Sequence, residues 1–494
     1  QLKNGLIISY FNIGLVNIVG LLLTPHIIKS LGDSEYGLYT LLGSITAYLS
    51  ILDLGLNNAV IRYVSKFNIT NDKESEENFL ATTFILYALI SLLLIAIGVF
   101  VYSKFSILYS NSLSIDEIRE GKLMLIILIF NLAITLPGGV FTAFSIAHQH
   151  YVFPKVLQTV KYILRSLFII IYVLDYPYAL TLVLIDTALN IIAIIVSIIY
   201  VRQYLQFRVK LKIWNKTLAK SILSYSFWIF LASVVMSSQW NFGQMVLGVI
   251  ENTALVAVFG VGIMLGGYYG AFAGALNTLL LPYATRLSVN NSNAVEFNLA
   301  IQKVGRLNGY ILFMILSMFF LFGREFILLW VGEGYINSWE IAILVMIGMT
   351  LPLLQAFGNS ILEAKKKNRF RSMISAFTVS LAIYVSILLV PEYSFRGVIY
   401  PLFTALVVNS FFMSWYYAKT FGFSLLAFIK KAILRLMIAA IIICALFSYI
   451  KRYWTIHDWF DLITIVTFYC VVYMGITYYF IMDQSEKEKI WRKQ

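Results

Sequence analysis

The feature that most constrains this chain is a succession of fourteen apolar runs, each near the ~20 residues a helix needs to cross about 30 Å of hydrocarbon. They lie at about 5–24, 36–56, 79–102, 123–146, 155–174, 178–200, 221–246, 253–281, 308–330, 340–362, 372–390, 397–417, 432–450 and 461–482. Each is continuously apolar and roughly twice as long as an alternating barrel strand, so the spans are helices. Hydrophobic residues make up 60% of the 494 positions and charged residues 12%, where a soluble protein carries about 25% charge. An ordinary soluble enzyme is excluded, and an all-α polytopic membrane protein is expected.

The basic residues set the expected orientation. With the amino terminus inside, 27 of the 37 Lys and Arg fall on the inner side and 8 on the outer, leaving Lys161 and Arg165 within a span. This positive-inside bias predicts that both termini are cytoplasmic. The net charge of +13 therefore reads as membrane topology and not as a nucleic-acid surface. The first run is full-length and lacks a small-residue cleavage pattern, so it is expected to stay as an anchor. The longest connections, near 57–78, 103–122 and 282–307, are too short for a catalytic domain. No HExxH, P-loop, GxSxG or clustered His/Cys spacing occurs, and Cys444 and Cys470 sit inside apolar runs. Neither enzymatic activity, a cofactor nor a metal is expected.

The basic segment 203–220 follows the sixth run and contains the alternating stretch Phe207 to Trp214, suited to lying along inner headgroups. It divides the chain into an amino-terminal six-helix lobe (1–202), this linker, a second six-helix lobe (221–418) and an added helix pair with a tail (419–494). Leu31-Gly32 after run one and Leu247-Gly248 after run seven suggest a parallel internal repeat, an arrangement that places a transport site between repeats. Pro137-Gly138-Gly139 in run four and Pro352 in run ten are expected bending points.

Polar residues inside the spans carry the functional information, because they are costly there and normally face a protein interior or a wet cavity. Run five follows Pro154 and carries Gln158, Lys161 and Arg165 on one helical face. At 1.5 Å per residue Lys161 lies roughly 10 Å and Arg165 roughly 16 Å from the inner end, with Asp186 of run six at a comparable depth. Two readings coexist: a pair of Arg165 with Asp186 that locks two helices, and a cationic cavity wall that attracts phosphate. One carboxylate cannot neutralise both cations. Polar stripes follow on run one (Tyr10, Gly14, Asn17, Thr24), run four (Asn131, Thr135, Gly138, Thr142), run seven (Ser237, Asn241, Gln244, Gly248) and run ten (Pro352, Gln355, Asn359, Glu363). Such residues line cavities or pack helices together. Among the carboxylates, Asp186, Asp53 and Glu363 are candidates for coupling to an ion. Their plain roles would be an ion pair, a helix-end hydrogen bond and a surface charge.

The stretch Pro25 to Arg62, with Leu31-Gly32, Glu35-Tyr36-Gly37-Leu38-Tyr39, Leu52-Asp53-Leu54-Gly55-Leu56 and Arg62-Tyr63, resembles the opening of the Wzx-type polysaccharide flippases. These belong to the multidrug/oligosaccharidyl-lipid/polysaccharide (MOP) exporter superfamily. Leu247-Gly248 and Leu281-Pro282 resemble that family's second half, and fourteen spans match its layout. The resemblance implies two six-helix lobes arranged as in the multidrug (MATE) transporters plus a carboxy-terminal pair. It also implies export of an undecaprenyl-pyrophosphate-linked oligosaccharide across a bacterial inner membrane, for O-antigen, capsule or exopolysaccharide synthesis. A cationic central cavity, matched in kind by Lys161 and Arg165, would hold the substrate; from its own position beside the inner end of span two, Arg62 is expected to receive the head group first. Implied partners are the lipid-linked oligosaccharide, membrane lipids, a polysaccharide polymerase and other assembly proteins. The alternatives are an ion-coupled multidrug exporter, which would carry acidic residues deep in its cavity, and a nontransporting scaffold of the assembly complex.

Overall fold

The structure, a computed structural model, describes residues 2–211, 216–277, 284, 286–287, 294–365, 367, 369–484 and 486–487, with backbone alone for 2–13, 216–229, 232 and 275–277. The centre of the basic linker and the expected Leu281-Pro282 motif lie outside these residues. Every regular element among the described residues is a helix. Thirteen are long and apolar enough to cross a membrane, and Lys216–Ile250 coincides with the seventh expected run.

The chain divides into two compact units, Gln1–Ala257 and Val258–Gln494. The first holds α1 (Leu2–Leu31), α2 (Asp33–Ser50), α3 (Leu56–Thr70), α4 (Lys73–Tyr109), α5 (Ile115–Ala147), α6 (Val152–Asp175), α7 (Ala179–Tyr204), α8 (Lys216–Ile250) and the first turn of α9 (Thr253–Asn277). The division thus falls one helix later than the linker at 203–220. Within this unit α8 is held against α2 and the α4–α5 turn. Gly248 lies against Leu41 and Tyr109, and the Ser112 hydroxyl donates to the Gly248 carbonyl at 2.6 Å.

Several expectations change at this level. The expected connection 57–78 is largely helical, because α3 carries span two on to Thr70 and Asp72 caps α4 by accepting from the Ser75 amide at 3.0 Å. The Ser75 hydroxyl and amide hold the Asp72 carboxyl below its ordinary range. Span two is broken at its middle: Leu54 and Gly55 both take left-handed backbone, φ 53° and 67°, after the short turn Ile51–Asp53. Gly55 supplies that conformation at no steric cost. The paired Leu-Gly motifs are not equivalent, since Gly32 joins two helices at φ 80° whereas Gly248 lies inside α8. Pro137 does not interrupt α5, which runs on to Ala147. Phe207 is not a headgroup aromatic but packs among Phe84, Phe141 and Phe144 of α4 and α5, at 4.9–6.3 Å between centroids.

The second unit holds the rest of α9, α10 (Ala294–Trp330), α11 (Ser338–Leu354), α12 (Ala356–Ala364), α13 (Arg369–Tyr393), α14 (Arg396–Phe421), the single turn α15 (Leu425–Phe428), α16 (Leu434–Ile450) and α17 (Trp459–Ile476). α10 begins well inside the expected connection 282–307. Span ten is interrupted at Gln355, three residues after Pro352, as expected of a residue that removes a helix hydrogen bond. The carboxy-terminal pair is fastened to α10 at both depths. The buried Tyr469 hydroxyl donates to Ser317 at 2.5 Å, and Arg306 binds Asp483 and Glu486 at 2.5 and 2.9 Å.

Candidate functional site

In the first unit Lys161, Arg165 and Asp186 lie on two adjacent helices, and a tyrosine from a third joins them. α6 opens on Val152, Phe153 and Pro154, where a proline costs no hydrogen bond, and then presents Gln158, Lys161 and Arg165 along one face. α7 answers with Asp186 and Asn190, four residues apart and so on one face of their own. Arg165 is taken up by Asp186: Nε reaches Oδ1 at 2.5 Å and Nη2 reaches Oδ2 at 3.2 Å. The same Nη2 donates to the Tyr39 hydroxyl at 3.0 Å, which in turn donates to Asp186 Oδ2 at 3.4 Å. This triad ties α6 and α7 to α2.

Lys161 has a different environment. Its ammonium donates to Asn190 Oδ1 at 2.9 Å, Asn190 donates to Asn131 Oδ1 at 3.0 Å, and Thr135 donates to the same oxygen at 3.0 Å. The chain of amides fixes the ammonium through a neutral hydrogen-bond partner. Lys161 lines a cavity of about 350 Å³ between α5, α6 and α7, walled also by Thr135, Thr142, Gln158, Asn190 and Ser197. Lys155 and Pro154 line it where α6 begins, so the cavity lies toward the amino-terminal end of α6. Gly138 and Gly139 form part of the α5 wall. A Cβ at either would meet Ile194 or the Asn57 amide at 2.5–2.7 Å, so glycine sets how closely α7 and α3 approach. The arrangement can hold an anion beside one lysine and offer hydroxyls and amides to a polar ligand, within the 300–1,000 Å³ usual for small-ligand sites.

The other expected residues lie elsewhere. Asp53 accepts from the Tyr87 hydroxyl at 2.8 Å and from Asn57 Nδ2 at 3.3 Å, at the break in span two. Arg62 sits on α3 with its guanidinium 5.9 Å from the centre of the Tyr63 ring and does not line the cavity. Asn17 is half-buried on α1, next to the Val16 carbonyl that accepts from Tyr162 at 3.0 Å. On α8, Asn241 donates to the Ser237 carbonyl at 2.9 Å, and Gln244 is half-buried. In the second unit Gln355 accepts from Ser414 at 3.0 Å and Asn359 from Tyr417 at 2.8 Å, both fastening span ten to α14. Glu363 forms an exposed pair with Arg371 at 3.4 Å, a surface contact worth little. Asn190, Tyr39 and Tyr87 were not singled out as site residues from the sequence. For Asn190 the signal was present: an amide four residues after Asp186 on an otherwise apolar helix.

Residues 2–288, more than half of the chain, match the family described as polysaccharide biosynthesis protein. The chain belongs to that family. A Shigella flexneri relative, "Putative O-antigen transporter", is 22% identical over 401 residues, spanning 79% of this chain and 91% of its own. Among solved structures, the lipid II flippase MurJ in its inward closed conformation superposes with a TM-score of 0.74 at 14% identity, over the whole of both chains. An inward-facing MATE multidrug transporter of the MOP superfamily superposes at 0.67 with 13% identity, over 86% of this chain and 99% of that one. The fold of this family member is therefore that of the MOP transporters, as its opening motifs implied.

Proposed function

We propose that this protein is a flippase that moves an undecaprenyl-pyrophosphate-linked oligosaccharide from the inner to the outer leaflet of a bacterial inner membrane, by alternating access. It would thereby serve O-antigen or related polysaccharide synthesis. In this reading both termini and the 203–220 segment face the cytoplasm, the side favoured by the distribution of basic residues. The six-helix halves 1–202 and 221–418 are the moving lobes in this reading, with 419–494 as an accessory pair. The polysaccharide family membership and the O-antigen transporter relative support the substrate class.

The observation that carries the reading is Lys161, a cation at membrane depth on the wall of a polar cavity, hydrogen-bonded to an amide and not to a carboxylate. A fixed positive charge in a low-dielectric wall favours a phosphate group, and the surrounding Thr135, Thr142, Asn190 and Ser197 suit the hydroxyls of an adjoining sugar. Arg165 acts with it as a second, held cation, because its guanidinium is already bridged to Asp186 and Tyr39. Lys155 and Arg62 lie toward the inner end of the unit and form the first electrostatic contact. A MATE-like exporter of cationic drugs is disfavoured by the same lysine.

The test is binding of a short-chain polyprenyl-pyrophosphate-linked sugar to purified protein in detergent. Lys161→Gln should weaken it about 10- to 100-fold, the value of one charge-assisted hydrogen bond. Unchanged affinity in Lys161→Gln would overturn the assignment of the cavity.

A further inference from the structure

We infer that Asn190 sets the charge preference of the Lys161 cavity, and that Asn131 holds the Asn190 amide in the orientation this requires. The inference rests on the flippase reading above and deepens it by naming the residue that makes the site select an anionic head group. Asn190 is a positioning residue in this role, because it acts on the ligand through Lys161.

An asparagine side chain has an acceptor end and a donor end, and the end that meets a neighbour decides whether the contact attracts or repels. A lysine ammonium only donates, so Asn190 must face it with Oδ1, as it does at 2.9 Å. That choice is imposed from α5. Asn131 Oδ1 accepts from Asn190 Nδ2 at 3.0 Å and from the Thr135 hydroxyl at 3.0 Å. Two donors converging on one oxygen keep Asn131 turned to α7 as an acceptor, which draws the donor end of Asn190 away from the lysine. Each bond of the relay across α5, α6 and α7 then pairs a donor with an acceptor, and reversing either amide would set like ends against each other.

The neutrality of the amide matters because of the charges beside it. Asp186 stands one turn before Asn190 on α7 and is bidentate to Arg165. α5 carries no charged residue from 123 to 147, and α7 none from 187 to 201. Lys161, Arg165 and Asp186 therefore leave one positive charge in excess. An aspartate at 190 has nearly the same shape, but it would give α7 a second carboxylate, within reach of the ammonium. Each cation would then have its own carboxylate and the excess would vanish. A nitrogen in place of an oxygen at one side chain thus decides whether the cavity favours an anion. Asn190 also takes one of the three N–H groups of the ammonium, which fixes Lys161 on the wall before a ligand arrives. A phosphate oxygen entering the cavity meets a cation already in place, so binding does not carry the cost of ordering that side chain.

The experiment measures binding of a short-chain polyprenyl-pyrophosphate-linked sugar to the full-length protein in detergent, with thermal unfolding of each variant alongside. Asn190→Asp should weaken binding about 10- to 100-fold while melting no lower than the wild type, since the new carboxylate pairs with Lys161. Asn190→Leu removes the hydrogen bond without adding a charge and should weaken binding less. In a Lys161→Gln background Asn190→Leu should have no further effect on affinity, because the residue acts only through the lysine. A merely structural role predicts the opposite order, with the isosteric aspartate mildest and leucine worst. Where Asn190→Asp does not fold, Asn131→Leu decides the matter: it should weaken binding in the wild-type background and leave Lys161→Gln unchanged. Binding of Asn190→Asp at wild-type strength, a loss in Asn190→Leu as large as in Asn190→Asp, or wild-type affinity in Asn131→Leu overturns the proposal. Lys161→Gln that binds as tightly as the wild type overturns the cavity reading instead.

Discussion

Arg165 and Asp186 meet through two nitrogen–oxygen contacts of 2.5 and 3.2 Å, with the Tyr39 hydroxyl closing the triangle. Their side chains are 21% and 28% exposed, so the pair is mostly but not wholly enclosed by the protein. Asp186 is thus taken up by Arg165, while the neighbouring Lys161 ammonium bonds to the Asn190 amide.

The pair is expected to matter for assembly more than for recognition. Asp186→Asn should strand the guanidinium and destabilise the unit by about 1–3 kcal/mol, less than the ~3–5 kcal/mol of a fully buried pair because both side chains are partly exposed. Removing both charges in Asp186→Asn with Arg165→Met should recover part of that loss. Thermal unfolding in detergent and protein abundance in membranes measure both effects. A double variant less stable than Asp186→Asn alone would contradict the assignment.

Two glycines on α2 should behave oppositely. A Cβ at Gly37 would lie 1.8 Å from the Thr253 carbonyl oxygen, a backbone atom that cannot swing aside, whereas one at Gly43 meets nothing within 4 Å. Gly37→Ala should cost at least about 2–3 kcal/mol or prevent accumulation of folded protein. Gly43→Ala should be neutral or stabilising by up to about 1 kcal/mol, since alanine holds a helix better than glycine. Melting temperatures of the two variants side by side provide the check.

The proposed orientation predicts that the exposed Arg208 lies inside. A cysteine placed at 208 should react with an impermeant maleimide in inverted vesicles or permeabilised cells and stay unlabelled in intact spheroplasts. Labelling in intact spheroplasts would reverse the topology.

Helix number and fold class were legible because twenty-residue apolar runs leave a chain few alternatives in a bilayer. The charged triad was partly legible: Arg165 and Asp186 stand at matching depths on adjacent spans. Tyr39, by contrast, was read as part of a family motif, since nothing in sequence shows that α2 crosses beside α6 at that level. The break at Leu54-Gly55 was hidden for a related reason. Leu52-Asp53-Leu54-Gly55-Leu56 is apolar enough to pass as the end of a span, and only the left-handed backbone reveals a joint with helix on both sides. Phe207 misled in the opposite direction, because the alternation 207–214 fits a headgroup-lying segment as well as a strap whose first aromatic is buried.

The most direct test of the central claim is flipping itself. Purified protein reconstituted into vesicles, with a fluorescent undecaprenyl-pyrophosphate-linked oligosaccharide in one leaflet, would be followed by accessibility of the sugar to a lectin or glycosidase on the other side. The account predicts protein-dependent crossing that falls about tenfold or more in Lys161→Gln with the protein still folded and inserted. Crossing at the protein-free rate in the wild type, or at the wild-type rate in Lys161→Gln, would contradict it.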